Sequence, residues 1–370
     1  MSIWQVEIVS ELGEVLAAVE PSAGTWVTRI NGTGSGSHTL QVRDAADGYT
    51  AEEWRDMLAG GGKRRVVVSK WQVPFTRPFA VYWGEISDEV DVDDDAGTVT
   101  VSHAELRGVL ASRYGAMIPT YSPGGAFMVT GRSPRGAAVE ILQHALTTST
   151  PGDNWHYPLI LPAAGSGSLT KTWPHHKLDS CEQMLTDVQN LPGGPDIAFD
   201  PVWSTTGRLE HWARLGSPRI AGETFEWSTI APETPVRKLR ERTSHARQRS
   251  GVLVAAEGSE ADMIVGRAGS RPGSPMMDRD VAVSAKSITT QAEADEAAAA
   301  ELAATREPVR QTSFALHVPD VPLGDTFRLG ARTRLWVENH WYLTSGWREG
   351  YVVAISGDMS DEIGVEVQPL

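Results

Sequence analysis

The chain has 370 residues, 33 Lys plus Arg against 47 Asp plus Glu, a formal charge of −14 and a single Cys. This length supports two or three domains and a buried core without disulfide staples, and one Cys excludes both an intramolecular disulfide and Cys-rich zinc modules. The acidic balance argues against a general nucleic-acid binder, and no apolar run reaches the roughly 18 residues of a membrane helix.

The opening stretch, MSIWQVEIVSELGEV, has no apolar h-region, so no signal peptide or membrane anchor is expected. To about residue 130 the pattern is mostly β. Trp26 to Ile30 is a β-rich run that ends in the Gly/Ser loop Asn31–Ser37, and alternation resumes at His38–Val42. Thr50 with Glu53 three residues on predicts a capped short helix. Strands are expected at Val66–Val68, Phe79–Val90 and Thr98–Val101. Ser102 with Glu105 reads as a second capping box, opening a helix through Leu110.

The middle is mixed. Ile141, Leu142, Ala145 and Leu146 share one helical face. A looser Pro/Gly segment runs from Thr150 to Pro174. Ser180 and Gln183 then cap a helix with Cys181, Leu185 and Val188 inward, stopped by Leu191–Pro195. Ile197–Trp203 and Arg208–Trp212 flank a Gly turn and form a hairpin. Beyond about residue 245 strands return, interrupted by an Ala-rich helix over 291–307 that Pro308 stops. Phe314 to Val318, Leu335 to Val337, Gly350–Ile355 and Ile363–Val367 complete the strands, with Asn339-His340 as a turn.

No motif carries catalysis, and no catalytic, cofactor or metal residue is assigned. Gly60-Gly61-Gly62-Lys63 fails as a P-loop, because Arg64 stands where Ser or Thr must hold magnesium. Asp91, Asp93 and Asp95 match the first ligands of a calcium loop, but Ala96 and Ser102 replace its Gly and its Glu, which leaves an acidic hairpin turn. His175-His176 has no ligand spacing around it, and Cys181 lies on an apolar helix face. Basic residues cluster once, at Arg237, Lys238, Arg240, Arg242, Arg247 and Arg249. They read as a solvated helix face or as a contact for an acidic neighbouring subunit. The 13 Trp fill cores or anchor interfaces.

Taken in order, these features resemble a known family. They are the β run Phe79–Ile86 leading to Arg107–Arg113, the segment Leu191-Pro192-Gly193-Gly194-Pro195-Asp196-Ile197-Ala198-Phe199-Asp200-Pro201, the Ala-rich helix ending in Arg306-Glu307-Pro308, and Pro322 to Leu329. The layout is similar to baseplate hub proteins of long-tailed phages, the gp27-like, tail-associated minor tail proteins, especially those of phages infecting actinobacteria. The resemblance implies an α+β, mainly β fold with two β-barrel-like domains, over 1–120 and 241–370, around a mixed α/β insert over 121–240. It implies a structural, non-enzymatic homotrimer at the virion tail tip, made in the host cytoplasm and without cofactors. Such a ring adapts a six-fold tail tube to a three-fold tip. Its partners would be the distal tail protein, the tape-measure protein, and receptor-binding or tail-fibre proteins. DNA would pass through the channel without specific binding. Because the chain ends soon after its last strand, any tip hydrolase is expected on a separate protein. The alternatives are a cell-wall glycan hydrolase and a carbohydrate-binding β module with exposed Trp residues.

Overall fold

The computed structural model describes residues 4–43, 48–58, 64–71, 77–147, 156–259, 262–269, 278–285 and 288–369. It divides into two compact units, Met1–Leu239 with Ser313–Gln368, and Arg240–Thr312.

The larger unit begins with seven strands: β1 (Trp4–Ser10), β2 (Val15–Val19), β3 (Pro21–Arg29), β4 (Ser35–Gln41), β5 (Arg64–Lys70), β6 (Phe79–Asp93) and β7 (Thr98–Glu105). Helix α1 (Ala51–Met57) lies between β4 and β5. Its predicted capping box forms: Glu53 N–H donates to Thr50 Oγ1 at 3.3 Å, and Thr50 N–H donates back to Glu53 Oε2 at 2.7 Å. The second predicted box does not form. Ser102 and Glu105 belong to β7, and a 3₁₀ turn, Leu106–Ser112, follows without a side-chain cap. The Glu105 carboxylate instead accepts the Gly34 N–H at 2.7 Å, so a long-range partner has displaced the local one.

The middle segment carries β8 (Ala126–Arg132), α2 (Pro134–Leu146), β9 (Leu159–Ile160), β10 (Leu169–Pro174), α3 (Cys181–Gln189), β11 (Ile197–Trp203) and β12 (Leu209–Leu215). Helix α3 has the expected capping box from Ser180 and Gln183. Cys181, Met184, Leu185 and Val188 of α3 are buried with Ile141, Leu142, Ala145 and Leu146 of α2 in a core of their own. The predicted hairpin is the antiparallel pair β11–β12, with Ile197 opposite Leu215.

Strands β13 (Thr224–Ser228) and β14 (Val236–Ser244) follow. The basic cluster therefore begins on a strand, not on a helix face. The smaller unit contains β15 (Gly251–Ala255), β16 (Val265–Gly269) and β17 (Asp280–Ser284), covered by α4 (Gln291–Thr305). Ala294 and Ala298, one turn apart, are fully buried against this sheet. A Cβ at Gly266 would stand 2.0 Å from the Ala294 carbonyl oxygen, so strand and helix meet only because β16 has Gly there. The last strands are β18 (Val309–His317), β19 (Arg332–Val337), β20 (Gly346–Gly357) and β21 (Glu362–Pro369).

One 13-stranded sheet runs in the order β14-β18-β21-β20-β3-β4-β7-β6-β5-β1-β2, with β19 and β13 branching from β20. The mainly β expectation holds. The sheets are not closed barrels: β2 and β14 are the ends of that order, and the N- and C-terminal strand sets join through β3 and β20. Ala354, Ile355, Ser356 and Gly357 of β20 face Arg29, Thr28, Val27 and Trp26 of β3. Trp26, 2% exposed, is the large side chain of this seam, in edge contact with Trp4 and tilted against Tyr82. A Cβ on Gly357 would lie 2.7 Å from the Trp26 ring. The Gly357→Ala variant is expected to lose about 1–3 kcal/mol of stability through overpacking, read as a lower urea midpoint at an unchanged denaturant slope.

Candidate interaction surfaces

Buried polar groups hold the sheet in register beneath its surfaces. His38 of β4, His103 of β7 and Tyr82 of β6 form a chain: His38 Nδ1 and His103 Nε2 are 2.7 Å apart, and His103 Nδ1 and Tyr82 OH are 2.8 Å apart. Burial pushes His38 down to about 4 and His103 down to about 3, so both rings are neutral at pH 7. Burial raises Glu105 to about 8 despite the Thr28, Gly34 and Arg29 donors. Glycines make room for this layer: a Cβ at Gly84 would meet Tyr82 Oη at 2.2 Å, and one at Gly36 would meet His103 Cε1 at 2.4 Å.

A second buried cluster connects β5 and β6 to the middle segment. Arg65, with no exposed surface, donates from Nε to Tyr157 OH at 2.8 Å and from Nη1 to the Ser10 carbonyl at 2.9 Å. Its guanidinium lies 4.4 Å from the Tyr157 ring centroid. His211 of β12 stacks on Trp83 at 3.8 Å between centroids, and burial with the Arg65 charge keeps it neutral.

A third cluster is built on Asn31, at φ 58°, directly after β3. Its Oδ1 accepts from Ile197 N at 2.8 Å and from Gln189 Nε2 at 2.5 Å, and its Nδ2 donates to Asp196 Oδ1 at 2.8 Å. Tyr351 OH of β20 donates to the other Asp196 oxygen at 2.6 Å. Asp200 pairs with Arg214 at 2.5 Å and with Arg328 at 3.4 Å. Sequence reading misses all three clusters, since each joins residues remote in the chain.

Above this interior lie three conspicuous surfaces. The first is the loop between β19 and β20, where Trp341 is 88% and Tyr342 is 77% exposed. The strands beneath it are fixed by the Trp336–Trp347 edge contact and by Arg334, which pairs with Glu349 and Glu226. The second is the β6–β7 hairpin tip, where Val90, Asp91, Val92, Asp93, Asp94 and Asp95 are all exposed. The third is a set of exposed apolar side chains on the middle segment, Ile118, Met128 and Leu178.

Gly60-Gly61-Gly62-Lys63 lies outside the described residues. Of the acidic turn, Asp93 Oδ1 accepts the Ala96 N–H at 2.9 Å and Asp94 pairs with Arg43, as in an ordinary β-turn. His175 Nδ1 accepts the Ser122 N–H at 3.3 Å, and its ring stacks on Tyr121. Cys181 is buried, which pushes its thiol up to about 12 and removes the thiolate a nucleophile needs. Among the described residues, no group of three His, Cys, Asp or Glu side chains is placed to hold a metal ion. On β14, Lys238 pairs with Glu362, and Arg237 donates to the carbonyls of Thr234 and Val236. Trp4, Trp26, Trp54, Trp83 and Trp173 are core, whereas Trp341 and Trp347 face solvent.

No protein-family model and no curated protein sequence matches the chain. Solved structures do. The 43 kDa tail protein of prophage MuSo2 from Shewanella oneidensis superposes with a TM-score of 0.59 at 11% identity, over 99% of this chain and 98% of that one. The tail protein from Neisseria meningitidis MC58 gives a TM-score of 0.56 at 14% identity, over 99% and 96%. A PdpA–VgrG complex gives 0.50 at 7% identity, covering 99% of this chain and 64% of that one. The fold is thus the one seen in these tail proteins, over 99% of the chain.

Two measurements test this account of the interior and of the tip. The unfolded rings titrate near 6.5, so below that pH the folded state binds fewer protons than the unfolded one. The stability His38 and His103 contribute is present at neutral pH and is lost as pH falls toward 4. Glu105 has the opposite sign, its contribution being full in acid and lost as pH rises from 4.5 to about 8. From pH 7 to pH 5, His103→Gln is expected to lose less stability than the wild type by on the order of 2 kcal/mol, read from urea unfolding at each pH. Equal losses would sink the neutral-histidine account. Trp341→Ala, at a side chain that packs on little besides its loop neighbours, is expected to shift stability by under about 0.5 kcal/mol in the same assay.

Proposed function

We propose that this chain is a structural hub protein of a phage tail tip. The observation that carries the reading is the likeness to a prophage tail protein and to a second tail protein over nearly the whole of each chain, rather than over one shared module. In this reading three copies form a ring that adapts a six-fold tail tube to a three-fold tip in a long-tailed phage, one infecting an actinobacterium. The first lobe lies in 1–120, the second in 241–370 and the insert in 121–240. The protein is made in the host cytoplasm and resides in the virion.

A ring subunit needs two different lateral faces, because a heterologous contact closes only when the rotation returns to the start. Exposed apolar groups on separate parts of the larger unit suit that demand. The distal tail protein, the tape-measure protein and receptor-binding or fibre proteins are the remaining partners, and Trp341 with Tyr342 is the aromatic anchor assigned to one of them. The net charge of −14 favours a channel wall that DNA slides past. The chain has no catalytic part in this scheme, and cell-wall cleavage is left to other tail proteins.

Sedimentation of the purified chain is expected to give a three-chain species that grows with concentration. Antibody labelling of intact particles is expected to mark the tail tip. A cleared band on a cell-wall zymogram, or a glycan bound through Trp341, would replace this reading with the hydrolase or the sugar-binding module.

A further inference from the structure

The β6–β7 hairpin leaves a core face unfinished. Directly opposed residues on neighbouring antiparallel strands share a face. Leu40, Val99 and Val92 form one such row across β4, β7 and β6, and His38, Val101 and Val90 form the next. Along the first row exposure climbs from 1% at Leu40 to 9% at Val99 and 66% at Val92. Along the second, His38 and Val101 are buried whereas Val90 is 38% exposed. The apolar layer under the sheet thus runs outward to a hairpin tip that is exposed among the described residues. That tip also carries exposed Asp91, Asp93, Asp94 and Asp95.

The middle segment presents a counterpart. Residues 113–132 and 169–180 are fastened together by the Tyr114–Ser180 bridge, by Gly115 N–H donating to Asp179 O at 3.1 Å, and by His175 N–H donating to Gly125 O at 2.9 Å. On this base stand Ile118 at 95%, Met128 at 61%, Leu178 at 55%, Tyr121 at 47% and Tyr114 at 45% exposure. Leu178 sits at φ 53°, a strained setting for a side chain of its kind, next to exposed Lys177 and His176. In a chain of net charge −14, residues 106–139 and 154–178 contain no Asp or Glu.

We propose that the β6–β7 hairpin tip of one copy docks, through Val90 and Val92, on the apolar face of Tyr114, Ile118, Tyr121, Met128 and Leu178 of a second copy. Among the described residues both surfaces are exposed within one chain, so neither covers the other. The tip is acidic and the segments forming the face carry Arg113, Arg132, Lys171 and Lys177 against the single acid Asp179, so the charges attract where a like pair would repel. The basic strand β14 offers charge to the same tip, but its exposed residues Arg237, Lys238, Arg240 and Arg242 offer no apolar cover for the valines. Tip and face are different patches, so the contact is head-to-tail and propagates from copy to copy. The inference deepens the ring reading by naming its lateral contact, and the test separates the two.

The test uses the full chain with single cysteines at exposed positions, since buried Cys181 stays unreactive. Val92→Cys carrying a size tag is mixed with untagged Ile118→Cys and oxidised with diamide, which takes up the two thiol hydrogens as the disulfide forms. The tagged–untagged dimer is expected to form at least tenfold faster than with Thr205→Cys, an exposed control on the β11–β12 turn. Equal rates overturn the proposal. Faster capture by Arg240→Cys than by Ile118→Cys also overturns it, in favour of β14. Binding of anionic phosphatidylserine vesicles that Ile118→Asp abolishes, without the preferential disulfide, assigns the face to a membrane and overturns it too. A chain bearing both cysteines is expected to give a ladder that stops at three. A longer ladder keeps the contact but refutes the three-fold ring, whereas trimers in sedimentation without the Val92–Ile118 disulfide keep the ring and refute the contact.

Discussion

The architecture depends on one short ladder, the pairing of β3 with β20. It joins residues more than three hundred positions apart, so its loop-closure entropy must be offset by what it buries. The seam meets this through Trp26, whose indole lies inside the core and against Gly357 of the partner strand. Burying a ring of this size contributes a few kcal/mol. The backbone hydrogen bonds of the ladder keep otherwise unsatisfied edge groups paired. Ile30 extends the contact by donating its N–H to Val353 O at 2.9 Å.

The residue after Ile30 turns that seam into a three-way joint. Asn31 adopts a left-handed conformation that Asn tolerates better than most residues, because its short polar side chain bonds locally. Here the side chain bonds to the end of α3 and the start of β11. Asp196, which accepts from Asn31, also accepts from Tyr351 of β20. A stretch of six residues, Trp26 to Asn31, therefore meets the N-terminal strands, the C-terminal strands and the middle segment. Rigidity at such a joint fixes where each surface of the larger unit points, which a multi-partner assembly requires.

Local signals were legible in the sequence and remote ones were not. The capping boxes at Thr50 and Ser180 form because both partners sit within one helical turn. The identical spacing at Ser102 and Glu105 misleads, since in a strand the Glu points across the sheet to Gly34 rather than back along the chain. The Arg/Lys cluster has no apolar period to separate helix from strand, and sheet pairing placed Val236–Ser244 on β14. The Asp-rich stretch was readable as a hairpin turn. Its valines, by contrast, look like ordinary alternation until the buried ends of their rows are seen. The order of elements was enough to suggest a tail-hub layout, while the open sheet and its β3–β20 seam required the coordinates.

Burial and exposure along one sheet thus divide the labour. Where the face is covered, neutral histidines, a high-pKa carboxyl and close-fitting glycines lock strands β3, β4, β6 and β7 together. Past Val99 the locking groups stop, and on β6 Asp91 and Asp93 alternate with the valines and take the opposite face. Charge at an exposed sheet end keeps it from pairing indiscriminately, because like tips repel. A tip that repels its own kind while attracting an acid-poor apolar face favours a directional contact over a symmetric one. Directionality of this type is what allows identical subunits to close a ring instead of stopping at a pair.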